Sequence, residues 1–267
     1  MNKIGYRFLI LLALFIGFYL FLAAHPAAAA GSRWVRWKIE VTYPNDILDV
    51  QLIVQKGITT QSGVHKIVDE KSYSLPCQPQ GQSQSKPIIS GGQAVFDGNS
   101  YFQCDVPSIQ DIAWAEWQMN IPDFSLAKRP YVKGEGTIEG NPIDPIPDNP
   151  VFYRDDIQFN IPLDITTQEA NLTMTFGQAT AESSNFLITS VDQEFTGYIA
   201  RSDPATFSPF FVVDGLSLSP TPAVITQSMV ISNLATTIYI GYSPASGKYF
   251  QGTLGPLDID PVCPTTG

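Results

Sequence analysis

Histidine and basic residues are scarce in this sequence, and both shortages exclude functions. Only two histidines occur among 267 residues, and one of them, His25, lies in an N-terminal targeting segment. A mature protein would keep only His65, which excludes a metal site built on a histidine cluster. Lys and Arg total 15 against 25 Asp and Glu, for a net charge of −10. Such a chain cannot neutralise nucleic-acid phosphates or bind an anionic membrane surface through charge.

The common catalytic and nucleotide-binding motifs are also missing. The sequence contains no G-x-S-x-G elbow and no Cys-x-x-Cys, His-Glu-x-x-His or EF-hand spacing. Gly134, Gly136 and Gly140 are spaced too widely for the dinucleotide fingerprint. Acidic side chains are then the only abundant reactive groups, and we expect a protein without a cofactor.

The first 30 residues have the form of a secretory signal. Lys3 and Arg7 precede an unbroken apolar run, Phe8–Ala24, and Ala28–Ala30 supplies the small residues of a cleavage site. We therefore expect 1–30 to be a signal peptide and the protein to be exported to the periplasm, the cell surface or the medium. The apolar run is also at the lower limit for spanning a bilayer, so an uncleaved N-terminal anchor is the alternative.

Three cysteines in an exported chain favour a disulfide over a metal site. Cys77 and Cys104 bracket a polar stretch, and we predict that they pair. The bridge would close a flexible loop and stabilise the fold by about 3 to 4 kcal/mol. Cys263 is then left as a free thiol or as the partner of a second molecule, although three cysteines formally allow three pairings.

The dominant pattern beyond the leader is alternation of apolar and polar residues, which is typical of strands with one buried face. It is clearest at 35–43, where Val35, Trp37, Ile39, Val41 and Tyr43 alternate with Arg36, Lys38, Glu40 and Thr42. The same pattern predicts strands at 115–121 and 157–165. Shorter runs rich in β-branched and aromatic residues predict strands at 48–54, 64–73, 100–106, 171–176, 184–191, 195–200, 207–213, 224–231, 236–242 and 248–254. Asp97-Gly98 predicts a hairpin turn, and Ser108 predicts the start of a single helical turn.

Scattered prolines and recurring strands predict an all-β protein, an antiparallel β-sandwich. Four prolines fall within 140–150, a stretch too stiff to join a central strand, so 141–150 is the predicted linker. Two arrangements remain open. The chain forms either two tandem immunoglobulin-sized sandwiches, 31–140 and 151–267, or one large jelly-roll-like sandwich of which 151–267 is the second half.

Two Trp-x-x-Trp motifs, at 34–37 and 114–117, predict a binding platform. Residues three apart on a strand point to opposite faces, so the first tryptophan of each motif lies on the polar face. An aromatic ring beside hydrogen-bonding groups can receive a sugar ring or an extended peptide. The candidate ligand-binding residues are Trp34, Trp114, Glu116 and Gln118. In the alternative interpretation, loops or a second domain cover the two rings.

Acidic residues near the proline-rich stretch suggest a cation site. Loop carboxylates suit Ca²⁺, which takes six to eight oxygen ligands in flexible geometry. The candidate ligands are Asp144, Asp148, Asp155 and Asp156. Asp beside Pro is, however, also an ordinary turn former. A glycosidase would need two carboxylates about 5 to 9.5 Å apart, a pairing across strands that one sequence does not reveal.

The sequence thus predicts an exported, non-catalytic β-sandwich that acts in surface recognition or as a structural or interaction module of the cell envelope. The alternative is a carbohydrate-active protein, either a sugar-binding module or a glycoside hydrolase with paired carboxylates. The expected partner is a glycan or another envelope protein, with contact to a membrane only if 1–30 stays attached. Ca²⁺ is the one ion for which the sequence offers candidate ligands.

Overall fold

The computed structural model describes residues 33–60, 62, 64–112, 130–138, 148–164, 166–189, 192–201, 207–221, 231–232 and 234–261. Several features predicted from the sequence lie outside these ranges: the signal segment 1–30, the strand 115–121, most of the linker and of 224–231, Trp114, Glu116, Gln118, Asp144 and Cys263. The described residues contain no helix long and apolar enough to cross a membrane.

Twenty-two strands follow one another along the described chain, separated by turns. They are β1 Arg33–Thr42, β2 Asp49–Thr59, β3 His65–Ser74, β4 Cys77–Gly81, β5 Ile88–Ser90, β6 Gln93–Asp97, β7 Ser100–Val106, β8 Tyr131–Ile138, β9 Pro150–Arg154, β10 Ile157–Asn160, β11 Leu163–Asp164, β12 Glu169–Ala170, β13 Thr173–Phe176, β14 Ala179–Glu182, β15 Phe186–Leu187, β16 Gln193–Arg201, β17 Phe207–Val213, β18 Leu216–Leu218, β19 Thr236–Ile240, β20 Tyr242–Ser243, β21 Lys248–Tyr249 and β22 Gln251–Asp260. Short 3₁₀ turns occupy Pro44–Asp46 and Gln82–Gln84.

Two antiparallel sheets form the predicted β-sandwich. Sheet A has ten strands, with the order β18-β17-β16-β8-β22-β1-β2-β3 and with β5 and β6 attached beside β22. Sheet B has seven strands, in the order β14-β13-β10-β9-β19-β7-β4. Smaller sheets join β11, β12 and β15, and β20 with β21.

Strands from both sides of the proline-rich stretch are interleaved in each sheet. In sheet A, β8 lies between β16 and β22, and β22 also pairs with β1. In sheet B, β19 lies between β7 and β9. One cluster of buried apolar residues includes side chains from both halves of the chain. Both large sheets and their shared core thus contain strands from before and after 141–150.

The alternation predicted for the first strand is present in β1, where Val35, Trp37, Ile39 and Val41 are buried. Trp37 lies below Arg154, whose guanidinium carbon is 5.0 Å from the ring centroid. Arg154 is itself 1% exposed, and its Nε lies 2.9 Å from a carboxylate oxygen of Asp156. The buried cation is thereby paired, as a charge in a sandwich interior must be.

The Asp97-Gly98 turn is present, but the prediction that it forms a hairpin is wrong. The strand before it, β6, pairs with β22 and β5 in sheet A, whereas β7 pairs with β19 and β4 in sheet B. The turn therefore carries the chain from one layer to the other. Phe96 and Phe102 both point into the core there, with ring centroids 5.8 Å apart. Each strand makes its ladder hydrogen bonds in its own sheet, so the two strands need not pair with each other.

The disulfide prediction is confirmed, because Cys77 and Cys104 are bonded to each other. They stand directly opposite each other on β4 and β7, so the bridge fastens an edge strand to sheet B. Pro79 lies on the same edge strand, and proline is tolerated there because an edge has a free side. The helical turn predicted at Ser108 is also present: it spans 109–112, and the Ser108 hydroxyl accepts a hydrogen bond from the Asp111 amide at 3.2 Å.

Candidate functional site

The outer face of sheet B carries a row of uncharged polar and aromatic side chains that crosses all seven strands. Strand pairing aligns one outward residue from each strand. In order across the sheet these are Thr180, Thr175, Gln158, Tyr153, Tyr239, Gln103 and Gln78. We call this set the cross-strand row. It contains amide and hydroxyl groups of both hydrogen-bonding types and no ionised group.

Five tyrosines gather around the centre of this row. Tyr101 stacks on Tyr242, with ring centroids 4.5 Å apart, and Tyr242 contacts Tyr249 at 4.7 Å. Tyr239 meets Tyr242 edge to face at 5.8 Å, and Tyr153 meets Tyr239 in the same way at 6.1 Å. Four of the rings are half-buried and Tyr153 is buried. We call these five residues the tyrosine cluster, and the cluster with the cross-strand row the tyrosine face.

A short hairpin, β20–β21, brings two of the tyrosines to the face. Tyr242 and Tyr249 are directly opposite each other in this hairpin. The hairpin leaves β19 at Gly241, which has a φ of +82°, and a Cβ at that position would lie 2.5 Å from the Phe96 ring. Only glycine satisfies both conditions. Gly241 therefore determines the direction in which the hairpin leaves the sheet.

The phenol groups of the cluster are hydrogen-bond donors at neutral pH. Burial raises the pKa of Tyr101, Tyr153 and Tyr242 above the usual value, and neighbouring phenols or, for Tyr153, the Asp155 carboxylate raise it further. The Tyr153 hydroxyl donates to Asp155 at 3.3 Å, and the Tyr249 hydroxyl accepts from Gln82 at 3.4 Å.

The hydroxyls of Tyr101, Tyr239 and Tyr242 have no protein hydrogen-bond partner within the part of the chain that the structure describes. The three residues are half-buried, and none of their hydroxyls is among the fully buried polar atoms, so a ligand can reach them. The cluster thus combines stacked aromatic surface with open donors and acceptors.

The outer face of sheet A is different, because its charged groups bind one another. Arg36 forms an ion pair with Asp260, and Lys38 with Glu40. Lys133 lies 3.1 Å from Glu194. The strand registry also places Glu40 opposite Asp258 and Asp258 opposite Lys133. We call this the charged face.

Two pKa shifts reflect this mutual pairing on the charged face. Burial acts to lower the pKa of Lys38, but its hydrogen bond to Glu40 and the charges of Asp258 and Glu40 outweigh burial, so the pKa is raised. The pKa of Tyr131 is raised by burial and by a hydrogen bond of 2.7 Å that its hydroxyl donates to Asp258. The charges of Arg36, Lys38 and Lys133 on this face are thus held by protein partners.

Trp34, the one predicted platform residue within the described ranges, lies on the polar side of β1 and is half-buried. It stands opposite Gly57 on β2. A Cβ at Gly57 would lie 2.1 Å from the Trp34 ring, so the indole lies flat against the glycine backbone. Such aromatic packing over a strand glycine stabilises the sheet. The role of Trp34 in ligand binding stays a prediction, as do those of Trp114, Glu116 and Gln118.

Two of the three predicted calcium ligands within the described ranges, Asp155 and Asp156, already have protein partners. Asp156 is bound to Arg154 and accepts the Ser232 amide at 2.5 Å, while Asp155 accepts the Tyr153 hydroxyl. Asp148 precedes β9 and is half-buried. The described residues contain no group of three or more His, Cys, Asp or Glu suited to a metal ion. A calcium site at these residues stays a prediction.

Sequence reasoning missed the tyrosine face, although a signal for it was present. Five of the eleven tyrosines belong to the cluster, and four lie on predicted strands at 100–106, 236–242 and 248–254. The alternation Tyr101, Gln103, Asp105 on one strand marks an outward face that mixes an aromatic ring with polar groups. The binding platform was predicted at tryptophans because tryptophan is rarer than tyrosine in this sequence.

Comparisons with known proteins give no family. No family model matches the chain, and no curated protein matches it. Among solved structures, a carbohydrate esterase of the Shiga toxin-encoding bacteriophage phi24B is 11% identical, with a TM-score of 0.39, over 70% of this chain and 90% of that one. The carbohydrate binding module CBM66 from Bacillus subtilis is 9% identical, with a TM-score of 0.31, over 67% and 91%. Domains LG4-5 of the mouse laminin alpha1 chain are 8% identical, with a TM-score of 0.35, over 91% and 90%. TM-scores this low carry no functional assignment to this chain.

Proposed function

We propose that the protein is an exported, non-catalytic recognition module that binds an uncharged glycan on the tyrosine face. The observation that supports this most directly is the combination of five contacting tyrosines with a row of amide and hydroxyl side chains on one sheet face. Sugar rings present apolar C–H surfaces and many hydroxyls. Proteins bind them with aromatic rings that stack on the C–H surfaces and with polar groups that hydrogen-bond to the hydroxyls.

The state of the phenols supports the same assignment. Phenols are protonated at neutral pH, and burial raises the pKa of Tyr101 and Tyr242 further, so their hydroxyls can both donate to and accept from a sugar hydroxyl. The disulfide between Cys77 and Cys104 accords with folding in an oxidising compartment, where extracellular glycans are met.

The charged face offers less support for the glycosidase alternative. A hydrolase needs one carboxylate as an acid and a second as a nucleophile or base, both directed at the scissile bond. On sheet A, Glu40 is paired with Lys38, and Asp258 accepts a hydrogen bond from Tyr131. These carboxylates have structural partners, whereas the hydroxyls of Tyr101, Tyr239 and Tyr242 on the tyrosine face have none among the described residues.

The proposal is tested by titrating the full chain against a panel of soluble neutral polysaccharides by affinity electrophoresis and calorimetry. Tyr242 contacts three other rings of the cluster, so Tyr242→Ala removes the centre of the stack. We expect affinity for the polysaccharides that the native chain binds to fall about tenfold or more, since 1.4 kcal/mol corresponds to a factor of ten.

The matched control is Tyr198→Ala. Tyr198 is a half-buried tyrosine on the outer face of sheet A, stacked on Phe210 with centroids 5.0 Å apart. Tyr198→Ala removes an equivalent aromatic ring from the opposite side of the sandwich, so we expect glycan affinity to stay unchanged. Equal losses in both variants, or no binding of any neutral glycan by the native chain, would reject the proposal.

A further inference from the structure

We infer that the tyrosine face binds an internal stretch of an unbranched, uncharged polysaccharide that runs across the strands, rather than a terminal sugar. This inference rests on the proposed function and names the class of glycan.

The length of the cross-strand row is the first argument. Seven hydrogen-bonded strands each contribute one outward residue, from Gln78 on β4 to Thr180 on β14. Strands are about 4.8 Å apart in the hydrogen-bonding direction, so six intervals span about 29 Å. One sugar ring would contact only a small part of such a row. A chain of several sugars can use all of it.

The absence of enclosure is the second argument. Recognition of a terminal sugar uses a concave site that surrounds the ring. Two pockets lined by described residues lie elsewhere, one in the interior beside Phe195 and Phe250 and one on the charged face beside Glu40 and Asp258. The row is an open surface on a sheet face, and such a surface suits binding of the internal units of a polymer.

The borders of the row define the direction of the polymer. On one side the hairpin β20–β21 begins at Gly241, next to Tyr101, and its two tyrosines stack against that ring. On the other side the next outward residue of β7 is Asp105, which is exposed and charged. A chain that followed the strands would meet the hairpin or the carboxylate. A chain that crosses them meets only uncharged groups.

The charges around the row exclude acidic polymers. The outward ionised groups nearest its members along the strands and turns are Asp105, Asp155 and Glu182, and all three are negative. The adjacent cation Arg154 is buried and paired with Asp156, and the exposed Lys248 lies outside the row, on the hairpin beside Tyr249. The chain as a whole carries a net charge of −10. Uronic-acid or sulfated polysaccharides would be repelled, and a neutral polymer would not.

The experiment is calorimetric titration of the full chain with cello-, xylo- and manno-oligosaccharides of one to six units, with oligogalacturonate and a proline-rich peptide as further probes. We expect at least one neutral series to gain about tenfold or more in affinity between two and six units. Reduction of the terminal sugar should leave the affinity of the hexamer unchanged, because the chain end is not recognised.

Variants at the far end of the row locate the polymer. Gln158→Ala combined with Thr175→Ala should weaken hexamer binding about three- to tenfold, the effect of losing one or two hydrogen bonds, and leave the dimer unaffected. Thr173→Ala is the control, since Thr173 is on the same strand and face but in the neighbouring row. Circular dichroism verifies that all variants fold.

The outcomes separate this inference from the proposed function. If neutral sugars bind but one unit binds as tightly as six, or if Thr173→Ala weakens the hexamer as much as the double variant, binding along the cross-strand row is wrong and the glycan site stands. If the peptide or oligogalacturonate binds more tightly than every neutral sugar, this inference and the proposed function both fail.

Discussion

The two outer faces of the sandwich differ in how their polar groups are satisfied. On the charged face of sheet A, cations and carboxylates pair with one another, as Arg36 does with Asp260 and Lys133 with Glu194. On the tyrosine face of sheet B the outward groups are phenols, amides and hydroxyls, and three phenols have no partner among the described residues. Ion pairs therefore dominate the polar contacts of the first face, whereas the second presents uncharged hydroxyls that are open to a ligand.

This difference teaches that charge content is a poor guide to function on a sheet face. Exposed ion pairs contribute little stability and offer little to a neutral partner. Stacked tyrosines bury apolar area and still leave polar hydroxyls outward, so under the proposed function the same residues serve folding and recognition. Substitutions confined to one sheet test this difference between the two faces.

The largest effect is expected from removing the disulfide. The bridge spans 27 residues and joins β4 to β7 within sheet B. Replacing both Cys77 and Cys104 by Ala should lower the free energy of unfolding by about 3 to 4 kcal/mol, measured by urea denaturation. Amide exchange should accelerate in β4, which carries Gln78, while the pairing of β8 with β22 in sheet A stays protected. Loss of protection in both sheets alike would contradict this separation.

An intermediate effect is expected at the base of the hairpin. Gly241→Ala forces a Cβ toward the Phe96 ring and places a side chain at a positive φ, so stability should fall by about 2 to 3 kcal/mol in thermal unfolding, and glycan affinity should fall with it. Gly215→Ala is the matched control. Gly215 has a φ of +75° in the turn between β17 and β18 of sheet A, with nothing within 4 Å of a Cβ. Gly215→Ala should lower the free energy of unfolding by about 1 kcal/mol and leave glycan affinity unchanged. If both variants bind glycan equally, the hairpin does not position the site.

The smallest effect concerns the charged face and its pH dependence. The pKa of Tyr131 is raised in the fold, whereas a phenol in the unfolded chain titrates near pH 10. The folded state holds this proton more tightly, so the stabilisation is present below about pH 10 and is lost as the pH rises above it. Tyr131→Phe removes the hydrogen bond to Asp258 and should cost about 1 to 2 kcal/mol at pH 7.

Urea denaturation at pH 7 and from pH 9 to 11 measures both effects, and the alkaline decline should be shallower in Tyr131→Phe than in the native chain. Lys133→Ala is the control: Lys133 and Glu194 are 47% and 49% exposed, and its loss should change stability by less than about 1 kcal/mol. An unaltered alkaline decline in Tyr131→Phe would assign the pH dependence to other tyrosines, such as the buried Tyr43, whose pKa is also raised by burial.

The sequence correctly predicted features that depend on neighbouring residues in the chain. Alternation identified β1, and the runs at 100–106 and 207–213 coincide with β7 and β17. The cysteine pairing was predicted because the compartment and the spacing both favoured it. The predicted strand 157–165 divides into β10 and β11 at Pro162, where proline cannot continue the ladder.

Neighbours across the sheets could not be predicted. Asp97-Gly98 has the residues of a hairpin turn, but the strands that it joins enter different sheets. Tyr153, Tyr239 and Tyr101 are far apart in the sequence, and only strand pairing between β9, β19 and β7 brings them together.

The sequence by itself determined the class of fold, because a period of two along the chain produces strands with one buried face wherever it occurs. It also favoured the disulfide between Cys77 and Cys104, although three cysteines allow three pairings, and the pairing of β4 with β7 decides among them. Only the tertiary structure decided which outward residues share a face, because registry between distant strands depends on how two whole sheets pack over one core. The tyrosine face is a product of that registry, and no segment of the chain contains it.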